Sequence, residues 1–560
     1  MPEIVARPID AAACARLSAA GCDARLARLY AARGLAGMEE LDTAFRNLVS
    51  PDRLNQVDEA ARLLADAIER GQKILIVADY DADGATACAV GVRALRSMGA
   101  TVDFLVPNRF RHSYGLSPEI AREAAARSPD LLITVDNGIA AVEGIAEANR
   151  LGMRVLVTDH HLPGAQRPDA ACIVNPNQHG CGFPSKSLAG VGVIFYVMLQ
   201  LRAEMRTRRR FAAGNEPNLA ALLDLVALGT VADVVRLDAN NRILVTQGLA
   251  RIRAGKACPG IATLFEAAGR TMRQATAYDL GFAIGPRLNA AGRLDDMSLG
   301  IACLTCDDAA QAATMAAQLD RLNRERREIE GDMQASALEM VAGFEGGDSY
   351  TLSVHRADWH AGVVGLLASR LKDRLHRPVF AFAADGDVLK GSGRSIPALH
   401  LRDALDLVDK RHPALLERFG GHAAAAGCTL RAAGLETFAA AFESVAREQL
   451  SPSDLAQRIE TDGELEAGDL TYDFARLLRE HVWGQGFPEP RFAGHFRVEG
   501  QRVVAEKHLR LSLAAGGRRF SAMRFGSPDP VPESILAVYR LDVNEYQGES
   551  SLQLIVEHVA

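Results

Sequence analysis

Asp79, Asp81 and Asp83 occupy alternate positions in Ala78-Asp79-Tyr80-Asp81-Ala82-Asp83-Gly84, directly after the apolar run Ile74 to Val77. Three carboxylates this close repel one another and raise each other's pKa values, and a divalent cation is the usual counter-charge. The plainer alternative is an acidic turn that caps a helix beginning near Ala85. Two more apolar runs end in the same manner. Leu131 to Val135 leads into Asp136-Asn137-Gly138, and Val155 to Thr158 leads into Asp159-His160-His161. A mixed carboxylate and imidazole set suits Mn²⁺, and less well Mg²⁺, whereas thiolates would have pointed to zinc.

Groups so far apart in sequence need a scaffold that gathers them. The short apolar runs alternate with helical patterns: Ala85 to Met98, a segment after Ser117-Pro118, and about Ala140 to Arg150, with a further strand at Val102 to Val106. Such a βαβ series predicts a mostly parallel sheet, buried on both faces. The C-terminal ends of its strands lie on one edge, where open α/β sheets bind ligands. Residues 1–70 read as helical, with breaks at Ser50-Pro51 and Gly71 and no assigned chemistry.

Composition sets the outer limits. The 560 residues, 48% hydrophobic and 24% charged, are enough for several domains with full cores. The longest apolar candidate, Leu219 to Val235, contains Asp224 and Asp233, and no secretory signal pattern opens the chain, so a soluble cytoplasmic protein is expected. The nine cysteines are scattered, and Cys303 and Cys306 lack a second pair for a zinc site. A net charge of −7 excludes a uniformly basic coat but leaves room for a local basic surface.

Asp79-Tyr-Asp-Ala-Asp-Gly84, Val135-Asp-Asn-Gly138 and Asp159-His-His161 resemble the signature blocks of the DHH phosphoesterase superfamily. Leu188-Ala-Gly-Val-Gly-Val193 and Leu228-Gly-Thr-Val-Ala-Asp233 resemble two further blocks. From about residue 50 onward the chain is similar to the RecJ family of bacterial single-strand-specific exonucleases. That resemblance implies two ions, Mn²⁺ or Mg²⁺, on Asp79, Asp81, Asp83, Asp136, His160 and Asp233, with Asp136 bridging and His161 beside the scissile phosphate. Asp159 is expected to orient a histidine, as carboxylates around metal-bound imidazoles do. The implied activity is hydrolysis of single-stranded DNA from its 5′ end, in recombination and repair, with helicases and single-strand-binding protein as partners.

Between the blocks, Pro107 to Gly115 mixes Arg109, Arg111 and His112 with Phe110 and Tyr114, a combination suited to nucleic acid. By the resemblance Arg109 serves the substrate's 5′ end, and Arg293, in Asn289-Ala-Ala-Gly-Arg293, is a candidate phosphate ligand. The basic run Arg202 to Arg210 reads as a helix end with a solvated loop.

The whole predicts an α/β multidomain chain: a helical region (1–70), a metal-binding catalytic domain (71–308), a connecting helix (309–345), a smaller α/β lobe (346–450) and a β-barrel (451–560). In the smaller lobe, glycine clusters at Gly391-Ser392-Gly393-Arg394 and Gly420-Gly421-His422 read as backbone that approaches an anion. They resemble, with Trp359-His360, the DHH-associated subdomain. Ser392, Gly393 and Arg394 would then hold a phosphate, with His360, Gly421 and His422 along the groove. In the barrel, between Arg491 and Arg524, eight Lys or Arg stand against Glu499 and Glu506. This basic segment looks like an OB-fold, a common single-strand-binding module. The competing readings are a DHH phosphodiesterase for short oligonucleotides or cyclic dinucleotides, which leaves the barrel unexplained, and a non-catalytic single-strand-binding scaffold, which would have lost ligands.

Overall fold

The structure is a computed structural model that describes residues 2–109, 112, 115–341, 349–546 and 549–560. Phe110, Arg111, Ser113 and Tyr114 of the expected substrate loop, and the expected Gln547-Gly548 turn, lie outside the described residues. The chain divides into two compact units, one formed by Met1–Val5 with Arg324–Glu460 and the other by Ala6–Asn323 with Thr461–Ala560.

The N-terminal region opens with a short strand, β1 (Glu3–Ala6), where the sequence suggested only helix. Helices Ala11–Ala19 and Ala24–Ala31 follow, started by Asp10 and Asp23, whose side chains accept the first free backbone N–H groups. Five parallel strands then form the central sheet: β2 (Lys73–Ala78), β3 (Thr101–Leu105), β4 (Leu131–Val135), β5 (Arg154–Thr158) and β6 (Cys172–Val174), in the order β3-β2-β4-β5-β6. Chain order reverses between β2 and β4, which opens a crevice at their C-terminal ends. The helix after β2 spans Ala82–Ser97, three residues earlier than its apolar pattern suggested. The cause is Asp81, whose side chain accepts from the N–H groups of Asp83 and Gly84 and so starts the helix inside the acidic motif.

The unit formed mainly by Arg324–Glu460 carries a second five-stranded sheet: β7 (Leu352–Arg356), β8 (Val379–Asp385), β9 (Val388–Arg394), β10 (Arg418–Gly421) and β11 (Ala425–Arg431), in the order β10-β11-β9-β8-β7. Only β7 and β8 run parallel. Here one sequence expectation is corrected. Gly391-Ser392-Gly393-Arg394, expected to bring its backbone to an anion, is instead the second half of β9, with its backbone paired on both sides. A Cβ on Gly391 would stand 2.3 Å from the Phe382 ring, and one on Gly393 2.4 Å from the Phe380 ring. These glycines make room for two buried phenylalanines on the neighbouring strand. The helix Ala309–Met340 is continuous for 32 residues, and the boundary between the units falls within it.

β12 (Arg458–Thr461) pairs with β1, and a closed barrel follows: β13 (Phe492–Val504), β14 (His508–Ala515), β15 (Arg518–Arg524), β16 (Ser534–Tyr546) and β17 (Glu549–Val559). Its interior, including Leu511, Leu513, Phe520 and Leu554, belongs to the same hydrophobic core as the N-terminal helices and the parallel sheet. The join is specific. Tyr30, Trp483 and Phe487 stack on one another, and buried Asp462 receives both terminal nitrogens of Arg33, at 2.8 and 3.0 Å.

Candidate metal centre

The acidic motif is held by backbone rather than by chance. Asn289 accepts the N–H of Ala82 at 2.8 Å, and a Cβ at Gly292 would come 1.9 Å from the Tyr80 carbonyl, so the Asn289 to Arg293 helix lies directly against the turn. Asp83, almost wholly buried, takes the N–H of Gly190 on one oxygen and that of Val191 on the other, at 2.7 and 2.9 Å. These donors are the first residues of helix Gly190–Thr207, whose free N–H groups and dipole favour a carboxylate. Gly190 can bear no side chain, because its Cβ would stand 2.6 Å from Asp136.

At the end of β4, Asp136 adopts φ +61°, a region few non-glycine residues occupy. It thereby turns its carboxylate into the crevice, and Oδ1 lies 3.0 Å from His160 Nε2. The same nitrogen is 3.5 Å from Asp233 and 3.9 Å from Asp83. Two sets of donor atoms emerge, each mutually within 4.8 Å: Asp79, Asp81 and Asp136, and Asp83, His160 and Asp233. His160 also connects them, since Asp136, His160 and His161 form a third such set. All six residues named as metal positions are therefore gathered, from four separate parts of the chain.

Their electrostatics fit cations. Burial, then repulsion from Asp81, pushes the Asp79 carboxyl up to about 8 and that of Asp83 up to about 7. Asp136 and Asp233 are raised too, by burial and then by Asp83. Oxygen and imidazole donors that resist ionisation together are the donor chemistry of a Mn²⁺ or Mg²⁺ site.

Asp159 does not join these sets. It accepts the N–H groups of Ile139, His160 and His161 and pairs with His161 Nδ1 at 2.7 Å. Burial alone would raise its pKa, but the His161 hydrogen bond and charge hold it below the usual carboxylate value. His161 is correspondingly held up at about 9, burial being outweighed by Asp159. Arg109 places its guanidinium 4.2 Å from the Tyr80 ring centroid, beside Asp79. Arg293 acts on the Tyr80 hydroxyl from the same neighbourhood.

Within the other unit, the remaining expected substrate residues come together in one region. Ser392 and Arg394 project from one face of β9 towards the first turn of helix Val364–Leu375, where a Cβ on Gly365 would lie 2.9 Å from Ser392 Oγ and 3.1 Å from Arg394 Nη2. His360, just before that helix, accepts the N–H of Gly362. Gly421 pairs across to Ala426, which pairs with Gly393, and exposed His422 begins the β10–β11 turn. The sequence reading missed Asn289, Gly190 and Val191 as supports of the acidic motif. Their blocks were visible, but nothing local says which backbone they touch.

Residues 73–230 match the DHH family, N-terminal domain, 347–448 the DHHA1 domain, and 461–558 the RecJ OB domain. The single-stranded-DNA-specific exonuclease RecJ of Dickeya dadantii is 51% identical, over 96% of both chains. The chain belongs to the RecJ family. RecJ of Escherichia coli is 49% identical over 95% of each chain. RecJ of Thermus thermophilus, solved in complex with Mn²⁺, superposes with a TM-score of 0.83 at 30% identity, covering 100% of this chain and 79% of that one. The five-stranded barrel stands where the RecJ OB domain matches.

Proposed function

We propose that this chain hydrolyses single-stranded DNA from its 5′ end, one nucleotide at a time, with two Mn²⁺ or Mg²⁺ ions. The observation that carries the reading is the convergence of Asp79, Asp81 and Asp136 with Asp83, His160 and Asp233 at the crevice of the parallel sheet. Asp79, Asp81, Asp83, Asp136, His160 and Asp233 would hold the ions, which would supply a hydroxide at neutral pH and stabilise charge on the phosphoryl and leaving oxygens. The chain's own groups do the rest. Asp159 fixes the His161 ring through Nδ1 and favours its protonated form, so that Nε2 can donate a hydrogen bond to a phosphate oxygen. Arg109, stacked on Tyr80, presents a cation next to the acidic turn, where the 5′ end is expected. Ser392 and Arg394, beside the N-terminus of a helix, are suited to a terminal phosphate.

The barrel offers the strand an exit surface. Arg502 and Arg510 face each other directly on β13 and β14, an arrangement that is unfavourable unless an anion lies across it. They line an open cleft of about 410 Å³ with Gln501 and Ser512. Not all of the basic segment is available for this: Arg491 pairs with Glu557, and Arg497 and Arg519 share Glu499. A free single strand arises from unwinding, so a helicase is the expected supplier and single-strand-binding protein the expected neighbour, both in the cytoplasm. The test is a time course on end-labelled single strands and duplexes with and without Mn²⁺. Metal-dependent release of nucleotides from the 5′ end of single strands is expected; release from the 3′ end, or none, would contradict it.

A further inference from the structure

Immediately after Asp233 the backbone takes an unfavourable course. Val234 is β-branched, yet it has φ +60°, and its side chain is 63% exposed. Against the same turn lies a π-helical turn, Leu280–Ile284. A Cβ on Gly281 would stand 3.2 Å from Val231, and one on Gly285 3.1 Å from Ala232, the two residues before the metal position. Wider turns of this kind are rare and tend to occur at functional sites. This one carries Phe282, which is 66% exposed, while Tyr278, just before it, is 48% exposed.

The two rings stack on each other, with centroids 4.7 Å apart and planes at 25°. At the other end the ledge meets the barrel: Arg540 of β16 lies 6.0 Å from the Tyr278 ring, and Gln274 bonds to Glu545. Three large apolar side chains thus stand in solvent on the two segments that frame one metal position, a placement that hydrophobic burial disfavours. The occupant that fits is the strand itself. Bases of single-stranded DNA offer flat π faces that stack on aromatic rings whatever the sequence, and a duplex hides those faces.

We propose that Tyr278, Phe282 and Val234 form a stacking ledge for one or two bases of the strand beside the metal centre, and that this ledge contributes to the choice of single over double strands. This inference rests on the exonuclease reading above.

The experiment uses the full-length enzyme, with single strands in which one abasic residue is stepped along the sequence. In the parent, the abasic residue raises KM at one or two positions only. In Phe282→Ala, KM for the intact strand rises about 5- to 150-fold, the range of one lost base–aromatic stack, and the abasic penalty at those positions disappears. Phe282→Trp keeps it. Should Phe282→Ala melt early, Phe282→Leu, which stays apolar but loses the ring, is expected to show the same loss. An abasic penalty that persists unchanged in the ring-less variant, or a KM within twofold of the parent, overturns the ledge. A parent that degrades no single strand at all overturns the exonuclease reading itself, and the ledge with it.

Discussion

The protein contains two five-stranded sheets that put chemistry in opposite places. In the parallel sheet β2, β4 and β5 are buried over nearly their whole length, and most candidate ligands lie just beyond a strand end, where the backbone has left the ladder: Asp79 and Asp81 after β2, Asp136 after β4 and His160 after β5, while Asp233 comes from the end of a helix. In the mixed sheet, Ser392 and Arg394 belong to β9 itself, and Gly391 and Gly393, which alternate with them, face Phe382 and Phe380. Strand ends can aim several groups at one point and so can surround a cation. A strand interior offers only every second side chain on one face, a row suited to gripping an anion laid along it. If this contrast is right, the two regions should fail differently when altered.

The largest failure is expected at the point where the ligand sets meet. Asp136→Ala should lower kcat by at least about 10³-fold while single-strand binding persists, because it removes a group close to both ligand sets. Asp136→Asn is the cleaner control, since asparagine tolerates the +61° backbone better than alanine. Retention of a tenth of the parental rate would break the account of this edge. In the mixed sheet, Arg394→Ala should cost about 10- to 100-fold, and only on 5′-phosphorylated strands, the size of a lost charge-assisted hydrogen bond. Equal losses on 5′-hydroxyl strands would mean that Arg394 does not grip the end.

Smaller effects sharpen the contrast. Gly393→Ala should destabilise the unit that contains it by about 1–3 kcal/mol, read as a lower melting temperature, since the new Cβ collides with the Phe380 ring. An anion-binding loop glycine would instead lose affinity with no change in stability. At the parallel edge, Asp79 and Asp83 keep protons up to about pH 8 and 7 in the metal-free protein, above the unfolded value. The folded state therefore binds more protons than the unfolded one between about pH 4 and 8, and the metal-free protein loses stability as pH rises through that window. Mn²⁺ displaces those protons, so the gain in melting temperature on adding Mn²⁺ should be larger at pH 8 than at pH 6. A gain that does not depend on pH would argue against buried carboxylate ligands.

The same contrast explains what could be read from sequence. Apolar runs that break into Asp-rich ends are local signals with one strong physical cause, so the parallel sheet and the acidic ends of β2, β4 and β5 were legible, whereas Asp233, at the end of a helix, was named only through the family resemblance. The glycines of β9 were not, because a glycine that admits a phenylalanine from the next strand looks the same as one that admits a phosphate. Helix capping by the acidic turn was read only as the alternative to metal binding, whereas the side chain of Asp81 both starts the helix and belongs to a ligand set. The barrel's strands were visible as alternation, but its attachment was not. Tyr30, Trp483 and Phe487 come together from sequence positions far apart, and Leu237, four residues beyond Asp233, donates its N–H to Gln485 at 2.8 Å. The segment that leads into the barrel is thereby bonded to the one that carries a metal position.

The central claim is that one edge of the parallel sheet holds two divalent ions close together through ligands that meet around Asp136. Electron paramagnetic resonance during Mn²⁺ titration of the full-length chain tests it most directly. The account predicts two ions per chain with a spin-coupled signal at saturation, and loss of the coupling in Asp136→Asn. A single uncoupled Mn²⁺ at saturation, or a coupled pair that survives that substitution unchanged, would contradict it.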